Sequence, residues 1–228
     1  MNDIGIRFIA KVHTDFKEKF GIPRQSNLIK NTEGRIIFEP EFRNKDYIKG
    51  LENFSHIWVI WCFSKNIDKK YSATVRPPRL GGNVRVGVFA SRSPFRPNPI
   101  GMSCVKIKNI EIDNNLGPVI NILGADILDG TPVLDIKPYV GYSDCIPEAK
   151  EGYAEANQKK DFKVIYLNNT ENIIPYLMKE IIEGIIKQDP RPAYQDDPSR
   201  EYGMKYSNYN IKFSIDNDII YITNIVTE

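Results

Sequence analysis

Two arginines stand on a proline-rich loop near the middle of the chain, where residues 91–103 read SRSPFRPNPIGMS. Proline fixes the backbone angle φ and has no amide hydrogen, so this segment cannot continue a helix or a central strand. A stiff loop holds the guanidinium groups of Arg92 and Arg96 in place, which lowers the entropic cost of binding. Alone, such a segment is more often an ordinary surface loop. Two arginines on so rigid a frame favour a binding site.

The segments around this loop are typical of short β-strands. Runs rich in β-branched and aromatic residues are separated by turn signals such as Gly81-Gly82-Asn83 and Asp129-Gly130. The predicted strands cover residues 4–12, 35–38, 54–63, 84–90, 102–112, 119–128 and 133–139. This spacing favours a closed or nearly closed β-barrel. No GxGxxG motif follows the first strand and no long helices alternate with the strands, so a Rossmann fold is disfavoured.

A second, smaller part follows a polar stretch at residues 144–160. Residues 162–167 are typical of a strand, and an apolar stripe predicts a helix from Thr170, its N-cap, to about Gln188. Residues 211–215 and 219–225 form a predicted hairpin. The predicted fold is therefore mainly β, with a non-Rossmann N-terminal β-barrel (residues 1–145) and a small α+β C-terminal domain (residues 146–228).

The composition excludes several classes of protein. The 228 residues are 41% hydrophobic and 11% aromatic, which is ample for a core. No apolar run approaches the ~18 residues of a membrane helix, and the N-terminus lacks the order of a signal peptide. The three cysteines form no CxxC pair and the two histidines are isolated from one another. We therefore expect a cytoplasmic protein with reduced thiols, no membrane contact and no metal site.

The net charge of +2 is unevenly distributed. Residues 151–228 hold 9 Lys and Arg against 13 Asp and Glu, a net charge of −4, which leaves +6 for residues 1–150. Within residues 65–108 there are 10 basic residues and a single acid, Asp68. Such a block predicts contact with a polyanion, and interleaved Tyr71, Phe89 and Phe95 favour stacking on unpaired RNA bases. A solvated basic face without a partner is the simpler alternative.

Several motifs together with the proline-rich loop resemble the signature of the TsaA-like family, and within it the TrmO-type tRNA methyltransferases. The other blocks are PRQ at residues 23–25, FSHIWV at 54–59, DILDGTPVLDIKPY at 126–139 and DPRPAYQ at 189–195. These motifs occur in the same order as in the family and are spread over nearly the whole chain. The resemblance implies a homodimeric, S-adenosylmethionine-dependent enzyme. Its substrate would be the exocyclic nitrogen of threonylcarbamoyladenosine, next to the anticodon of a threonine tRNA.

The resemblance also implies a cofactor site built from barrel loops. Its residues in this sequence are Pro23, Arg24, Gln25, Ser64, Lys65, Arg92, Met102, Asp129, Gly130, Thr131 and Pro132. Arginines at this site suit the cofactor carboxylate, Asp129 suits a ribose hydroxyl or the ammonium group, and Gly130 permits close backbone approach. The chain departs from the family at Ser64-Lys65, where many relatives have a His-Gln-like pair, so we expect a backbone contact there. In isolation, Asp129-Gly130 is most often only a hairpin turn.

The DPRPAY loop is the candidate for the methyl acceptor. In the implied reaction Asp189 accepts the proton, Arg191 pairs with the threonyl carboxylate and Tyr194 stacks on the base. The simpler alternative is a loop that only docks the C-terminal part on the barrel.

Two other functions compete with the tRNA methyltransferase. One is a non-catalytic RNA-binding β-barrel, which needs the basic block but not the PRQ, DGTP and DPRPAY motifs together. The other is a TsaA-like methyltransferase that acts on a small molecule, which would not need the C-terminal domain.

Overall fold

The computed structural model describes residues 5–80, 82–154, 161–191, 195 and 197–228. Their strands and α-helices, in chain order, are β1 Ala10–Thr14, β2 Glu33–Phe38, β3 His56–Cys62, β4 Thr74–Val75, β5 Val86–Gly87, β6 Ile100–Asp113, β7 Gly117–Leu123, β8 Thr131–Pro138, α1 Gly141–Asp144, β9 Lys163–Tyr166, α2 Tyr176–Ile186, β10 Tyr202–Tyr206, β11 Tyr209–Asp216 and β12 Ile219–Thr227. Short 3₁₀ helices occupy Pro40–Phe42, Lys45–Ile48, Leu51–Asn53, Ser64–Asn66, Pro78–Leu80, Val88–Ala90, Gly152–Ala154 and Thr170–Asn172.

Six strands close into a barrel in the order β1-β2-β7-β6-β3-β8. Every neighbouring pair is antiparallel, and β8 returns to β1 through the pairing of Val133 with Ala10. Alternate residues point inward, as the buried-exposed alternation along β1 shows. The barrel core is built mainly from aliphatic residues such as Val12, Ile57 and Ile120, each fully buried. The predicted mainly β fold with an N-terminal barrel is confirmed.

A second core lies under a four-stranded sheet of order β10-β11-β12-β9, in which β9 runs parallel to β12. Helix α2 contributes Ile182, Ile185 and Ile186 to this core. Of the apolar stripe that the sequence predicts for this helix, Ile181 and Ile185 are buried, whereas Leu177 is 56% exposed.

The segment between β1 and β2, residues 15–32, joins the two parts. Phe16 and Ile29 are buried in the second core, although they lie on the barrel side of the predicted division at residue 145. The amide of Lys205 donates to Glu18 Oε1 at 2.9 Å, and that of Ser207 donates to the carbonyl of Asp15 at 2.9 Å. The two parts therefore share one packed contact region.

Besides the strand predicted at 119–128, which ends at Leu123, three predicted elements are wrong in their bounds. The strand predicted at 84–90 is reduced to Val86–Gly87, because the chain then curls into the 3₁₀ helix Val88–Ala90. The strand predicted at 4–12 is confined to Ala10–Thr14 among the described residues.

The third is the helix predicted from Thr170, which begins only at Tyr176 with Pro175 at its N-cap. Thr170 instead opens a short 3₁₀ turn, and its hydroxyl donates to the carbonyl of Leu167 at 2.8 Å. Proline disfavours the helical conformation of the residue before it, which explains the late start.

Candidate functional site

A cavity of about 870 Å³ opens at one end of the barrel. The register pairs Cys62 with Ile100 and Trp61 with Val133, so the end of β3 meets the starts of β6 and β8 at this edge. The loops that enter these strands form the walls. The main lining residues are Pro23, Arg24, Gln25, Trp61, Phe63, Ser64, Lys65, Phe89, Arg92, Arg96, Met102, Asp126 and Thr131.

Most of the predicted cofactor residues meet at this cavity. Those that line it are Pro23, Arg24, Gln25, Ser64, Lys65, Arg92, Met102 and Thr131. Asp129, Gly130 and Pro132 are not among the lining residues. The structure thus brings together segments 23–25, 64–65 and 91–102, which are far apart in the sequence.

The proline-rich loop is fixed by its own polar groups. The hydroxyl of Ser91 donates to the carbonyl of Val88 at 2.9 Å, and Arg96 Nη1 donates back to the carbonyl of Ser91 at 3.1 Å. The loop ends where the amide of Phe63 donates to the carbonyl of Pro99 at 2.7 Å. These bonds hold the loop against β3, as the stiffness of its sequence predicts.

The lack of a side chain at Gly101 leaves space for the Trp61 ring in the floor of the cavity. A β-carbon on Gly101 would lie 2.5 Å from the ring of Trp61, its partner on β3. The Trp61 ring also packs edge-on against Phe63 at 4.3 Å between centroids. The apolar floor therefore depends on a residue without a side chain.

Arginine and glutamine side chains form a connected polar wall. Arg92 donates to the Gln25 side-chain oxygen, and the Gln25 amide nitrogen donates to the carbonyl of Arg24. Arg24 Nη2 in turn donates to the carbonyl of Asp189 at 3.1 Å. The wall thus links the proline-rich loop, through the PRQ motif, to the DPRPAY motif.

Asp126 is a site residue that the candidate cofactor set lacks. Its side chain lines the cavity and accepts a hydrogen bond from the Ser103 hydroxyl at 2.6 Å. Burial raises the pKa of this carboxyl to about 6, while the Ser103 bond, two backbone amides and the charge of Arg92 oppose the rise. The available signal was an acid inside an apolar run, between the buried Ala125 and Ile127.

Asp129 is engaged at the side of the barrel. It accepts from the amide of Thr14 at 3.1 Å and from Lys17 Nζ at 2.9 Å, and His13 Nδ1 lies 3.3 Å away. Partial burial raises the pKa of its carboxyl, but these three neighbours outweigh burial and hold it below its usual value. Gly130, at φ +74°, donates its amide to the carbonyl of Val12. Here Asp129-Gly130 ties the start of β8 to β1.

The DPRPAY motif begins with a closed ion pair. Arg191, only 7% exposed, donates from Nε to Asp189 Oδ1 at 2.8 Å and from Nη2 to Oδ2 at 3.0 Å. Asp189 itself adopts a left-handed conformation at φ +48°. Tyr194, the third predicted acceptor residue, lies outside the described residues. The pair engages both of these side chains with each other, which supports the docking alternative for them.

Three lysines give one part of the cavity rim a positive charge. The pKa of Lys19 is lowered by burial and by the charges of Lys69 and Lys65, which places three ammonium groups in one neighbourhood. Lys69 Nζ lies 5.8 Å from the centroid of Phe95, and Phe89 is 80% exposed. Cations and exposed rings at one rim suit an unpaired nucleic-acid strand.

The described residues offer neither a group of metal ligands nor a membrane-spanning helix. Among the described residues, no three His, Cys, Asp or Glu side chains are grouped closely enough to hold a metal ion. None of the described helices is long and apolar enough to cross a membrane.

Fold and site together define a class: an antiparallel β-barrel whose rim carries a ligand-sized, positively charged cavity, joined to a small α+β unit. Residues 11–145 match the family model of the tRNA-methyltransferase O N-terminal domain, and residues 161–228 match that of the TrmO C-terminal domain. The chain belongs to the TrmO family.

Similar proteins cover nearly the whole chain. It is 35% identical to the tRNA (adenine(37)-N6)-methyltransferase of Escherichia coli K12, over 94% of each protein. It is 45% identical to a protein of the same name from Eikenella corrodens, over 72% of this chain and 92% of that protein. A crystal structure of TrmO from Pseudomonas aeruginosa superposes with a TM-score of 0.81 at 30% identity, covering 100% of this chain and 99% of that chain.

Proposed function

We propose that the protein is an S-adenosylmethionine-dependent tRNA methyltransferase that uses the barrel-end cavity as its cofactor site. The observation that carries the proposal is the convergence of the PRQ motif, Arg92 and Met102 on one cavity. Membership of the TrmO family and the printed activity of the relatives support it.

The cavity residues fit S-adenosylmethionine. A volume of about 870 Å³ is within the ~300–1,000 Å³ of small-molecule sites. The cofactor combines an aromatic ring, a carboxylate and cationic groups, and the lining offers an apolar floor, three guanidinium groups and one carboxylate. Arg92 and Arg24 suit the cofactor carboxylate, and Met102 provides a polarizable wall. When bound, the cofactor supplies an activated methyl group.

The residues of the chain contribute to the reaction by aligning the nucleophile with the methyl group. Methyl transfer from an activated donor depends on a direct line between nucleophile and methyl group more than on a strong acid. Gln25 fixes the Arg92 guanidinium, and Arg24 donates to the carbonyl of Asp189, the first residue of the DPRPAY motif. The cavity wall and Asp189 are thereby joined by hydrogen bonds before either ligand binds.

For the acceptor, we propose the exocyclic nitrogen of threonylcarbamoyladenosine next to the anticodon of a threonine tRNA. The cationic rim of Lys19, Lys65 and Lys69 suits the phosphates of the anticodon loop, and the exposed Phe89 suits an unpaired base. Because Asp189 and Arg191 bind each other, we assign them to shaping the acceptor loop, and Tyr194 keeps its predicted stacking role. Since tRNA is the substrate, we place the enzyme in the cytoplasm.

We also propose a homodimer. The segment between β3 and β6 carries exposed apolar side chains, among them Ile67, Tyr71 and Val84. Covering such a surface favours association. Light scattering at micromolar concentration is expected to give twice the monomer mass of 26.2 kDa, and a monomer would contradict the dimer.

The competing functions make different predictions. A non-catalytic RNA-binding barrel would leave the threonine tRNA of a strain lacking the protein unchanged. A methyltransferase for a small molecule would do the same. Mass spectrometry of that tRNA is expected to show loss of one methyl group from the modified adenosine. An unchanged nucleoside would reject the proposed substrate.

A further inference from the structure

Asp126 ends a chain of three hydrogen-bonded side chains that starts in the barrel wall. Trp61 Nε1 donates to the Ser103 oxygen at 3.0 Å, and the Ser103 hydroxyl lies 2.6 Å from Asp126 Oδ1. An indole nitrogen can only donate, so the Ser103 oxygen accepts that bond and its own proton is available to Asp126. Ser103 and Trp61 are 1% and 8% exposed. The carboxylate is therefore held in one orientation by buried groups.

The carboxylate of Asp126 is opposite in charge to the basic side chains that line the same cavity. Among the described residues that line the cavity it is the single acid, and the basic lining residues are Lys19, Arg24, Lys65, Arg92 and Arg96. The groups that act on it are Ser103 on β6, the Ser26 amide, its own amide and the charge of Arg92. They leave its pKa raised to about 6, so burial of this negative charge is only partly compensated. A cation bound beside it would supply the missing compensation.

We propose that Asp126 binds the α-ammonium group of the cofactor, beside the arginines that bind its carboxylate. An amino-acid group presents a cation and an anion on the same carbon, so its receptor needs both charges close together. Arg92 and Asp126 interact through space across the same cavity and meet this requirement. The inference rests on the proposed use of S-adenosylmethionine and deepens it by naming the acid of the site.

The other acid considered for this role is Asp129. Its oxygens already accept from Thr14 and Lys17, and it does not line the cavity. Asp126 lines the cavity, and although it accepts from the Ser103 hydroxyl and from two backbone amides, a carboxylate has about four acceptor positions, which leaves capacity for a ligand. The geometry therefore favours Asp126 as the ammonium acceptor.

Calorimetric titration of three ligands separates the possible contacts. S-adenosylmethionine carries the ammonium and the sulfonium, S-adenosylhomocysteine carries the ammonium without the sulfonium, and 5′-methylthioadenosine lacks both. Asp126→Asn is expected to weaken the first two by the same factor, about tenfold to hundredfold, as for a hydrogen bond to a charged group. The third ligand is expected to bind unchanged. Asp216→Asn, an exposed change of the same kind on β11, serves as the matched control.

Each other pattern overturns the inference. A loss confined to S-adenosylmethionine would assign Asp126 to the sulfonium, and an equal loss for all three ligands would assign it to the adenosine or to folding. Unchanged affinity would remove Asp126 from the site. If none of the three ligands binds the wild-type protein, the proposed function itself fails.

A measurement on the wild-type protein needs no variant. The pKa of the Asp126 carboxyl is raised to about 6, so a fraction of these carboxyls hold a proton at pH 6, and an ammonium bound there requires the ionised form. Titrations at pH 6 in buffers of different ionisation enthalpy are therefore expected to show proton release on cofactor binding. At pH 7 the release should be much smaller, because most of these carboxyls are then ionised while the cofactor amino group still holds its proton. Binding without proton release at pH 6 would contradict the assignment.

Discussion

Arg92 is the single side chain to which we assign the largest contribution to cofactor binding. It stands on a loop closed by internal hydrogen bonds, and Gln25 fixes its guanidinium group. The residue types of this site could be predicted from the sequence because the motifs are local. The position of Asp126 could not, because its burial arises from segments near residues 26, 92 and 103 that meet only in the fold.

Replacement of Arg92 by alanine is expected to weaken cofactor binding by about 1.5–3 kcal/mol, the range for a hydrogen bond to a charged group. Calorimetric titration with S-adenosylmethionine measures it. Arg35→Ala, which removes an exposed arginine paired with Glu111, is the matched control and should bind as the wild type does. Wild-type affinity in Arg92→Ala would exclude this arginine from the site.

The ionised carboxyl of Asp126 is expected to lower the free energy of unfolding at neutral pH. Its pKa in the folded protein, about 6, lies above the 3.8 of the free side chain, so the folded state holds the proton more tightly. Stability from this group is present at low pH and is lost as pH rises from about 4 to 6, by up to about 3 kcal/mol.

Asp126→Asn should therefore stabilise the protein at pH 7.5 and lose that advantage near pH 4. Urea unfolding at both pH values provides the measurement, with Asp216→Asn as the control. A destabilised Asp126→Asn at pH 7.5 would show that the carboxylate is better compensated than its surroundings indicate.

At the scale of elements, the segment 15–32 is the most consequential. It carries the PRQ motif, and its flanking side chains Phe16 and Ile29 pack in the second core. Gly21 adopts φ +87°, and a β-carbon there would lie 2.5 Å from the sulfur of the buried Met204. The C-terminal domain therefore helps to hold one wall of the barrel-end cavity.

Gly21→Ala is expected to lower the free energy of unfolding by about 2–4 kcal/mol, from positive φ together with overpacking. Gly50→Ala tests the backbone effect alone, since Gly50 has φ +88° and open space around its missing β-carbon. Denaturant unfolding should rank Gly21→Ala as clearly more damaging. Equal losses of unfolding free energy in the two variants would mean that the Met204 side chain moves aside at no energetic cost.

The sequence predicts the barrel better than it predicts the elements around it. Strands such as β3 and β8 follow from runs of β-branched residues and turn signals. The start of α2 was missed because Thr170 looks like an N-cap, whereas the following Pro175 delays the helix. Packing of Phe16 under α2 and β10 joins positions almost two hundred residues apart, and no local pattern records that contact.

At the scale of the whole molecule, the two cores are expected to act as one unit. Ending the chain at Lys150 would expose Phe16, Ile29 and the neighbouring Phe20, which pack against the second core. The truncated protein should therefore lose cofactor binding and tend to aggregate. Calorimetry and light scattering test this expectation. A soluble truncated barrel with wild-type affinity would show that the PRQ wall forms without the C-terminal domain.

Charge separation between the two parts gives the molecule a basic side for tRNA. The rim residues Lys19, Lys65 and Lys69 lie beside the cavity, whereas the C-terminal part carries the net negative charge. Salt is therefore expected to weaken tRNA binding more strongly than cofactor binding.

Methyl transfer by the purified protein tests the central claim most directly. Threonine tRNA carrying threonylcarbamoyladenosine, the same tRNA without this modification, and labelled S-adenosylmethionine are combined, and the nucleosides are analysed by mass spectrometry. We predict one methyl group on the modified adenosine, none on the unmodified tRNA, and a strong reduction with Arg92→Ala. Wild-type protein that binds S-adenosylmethionine yet transfers no methyl group to the modified tRNA would contradict this prediction.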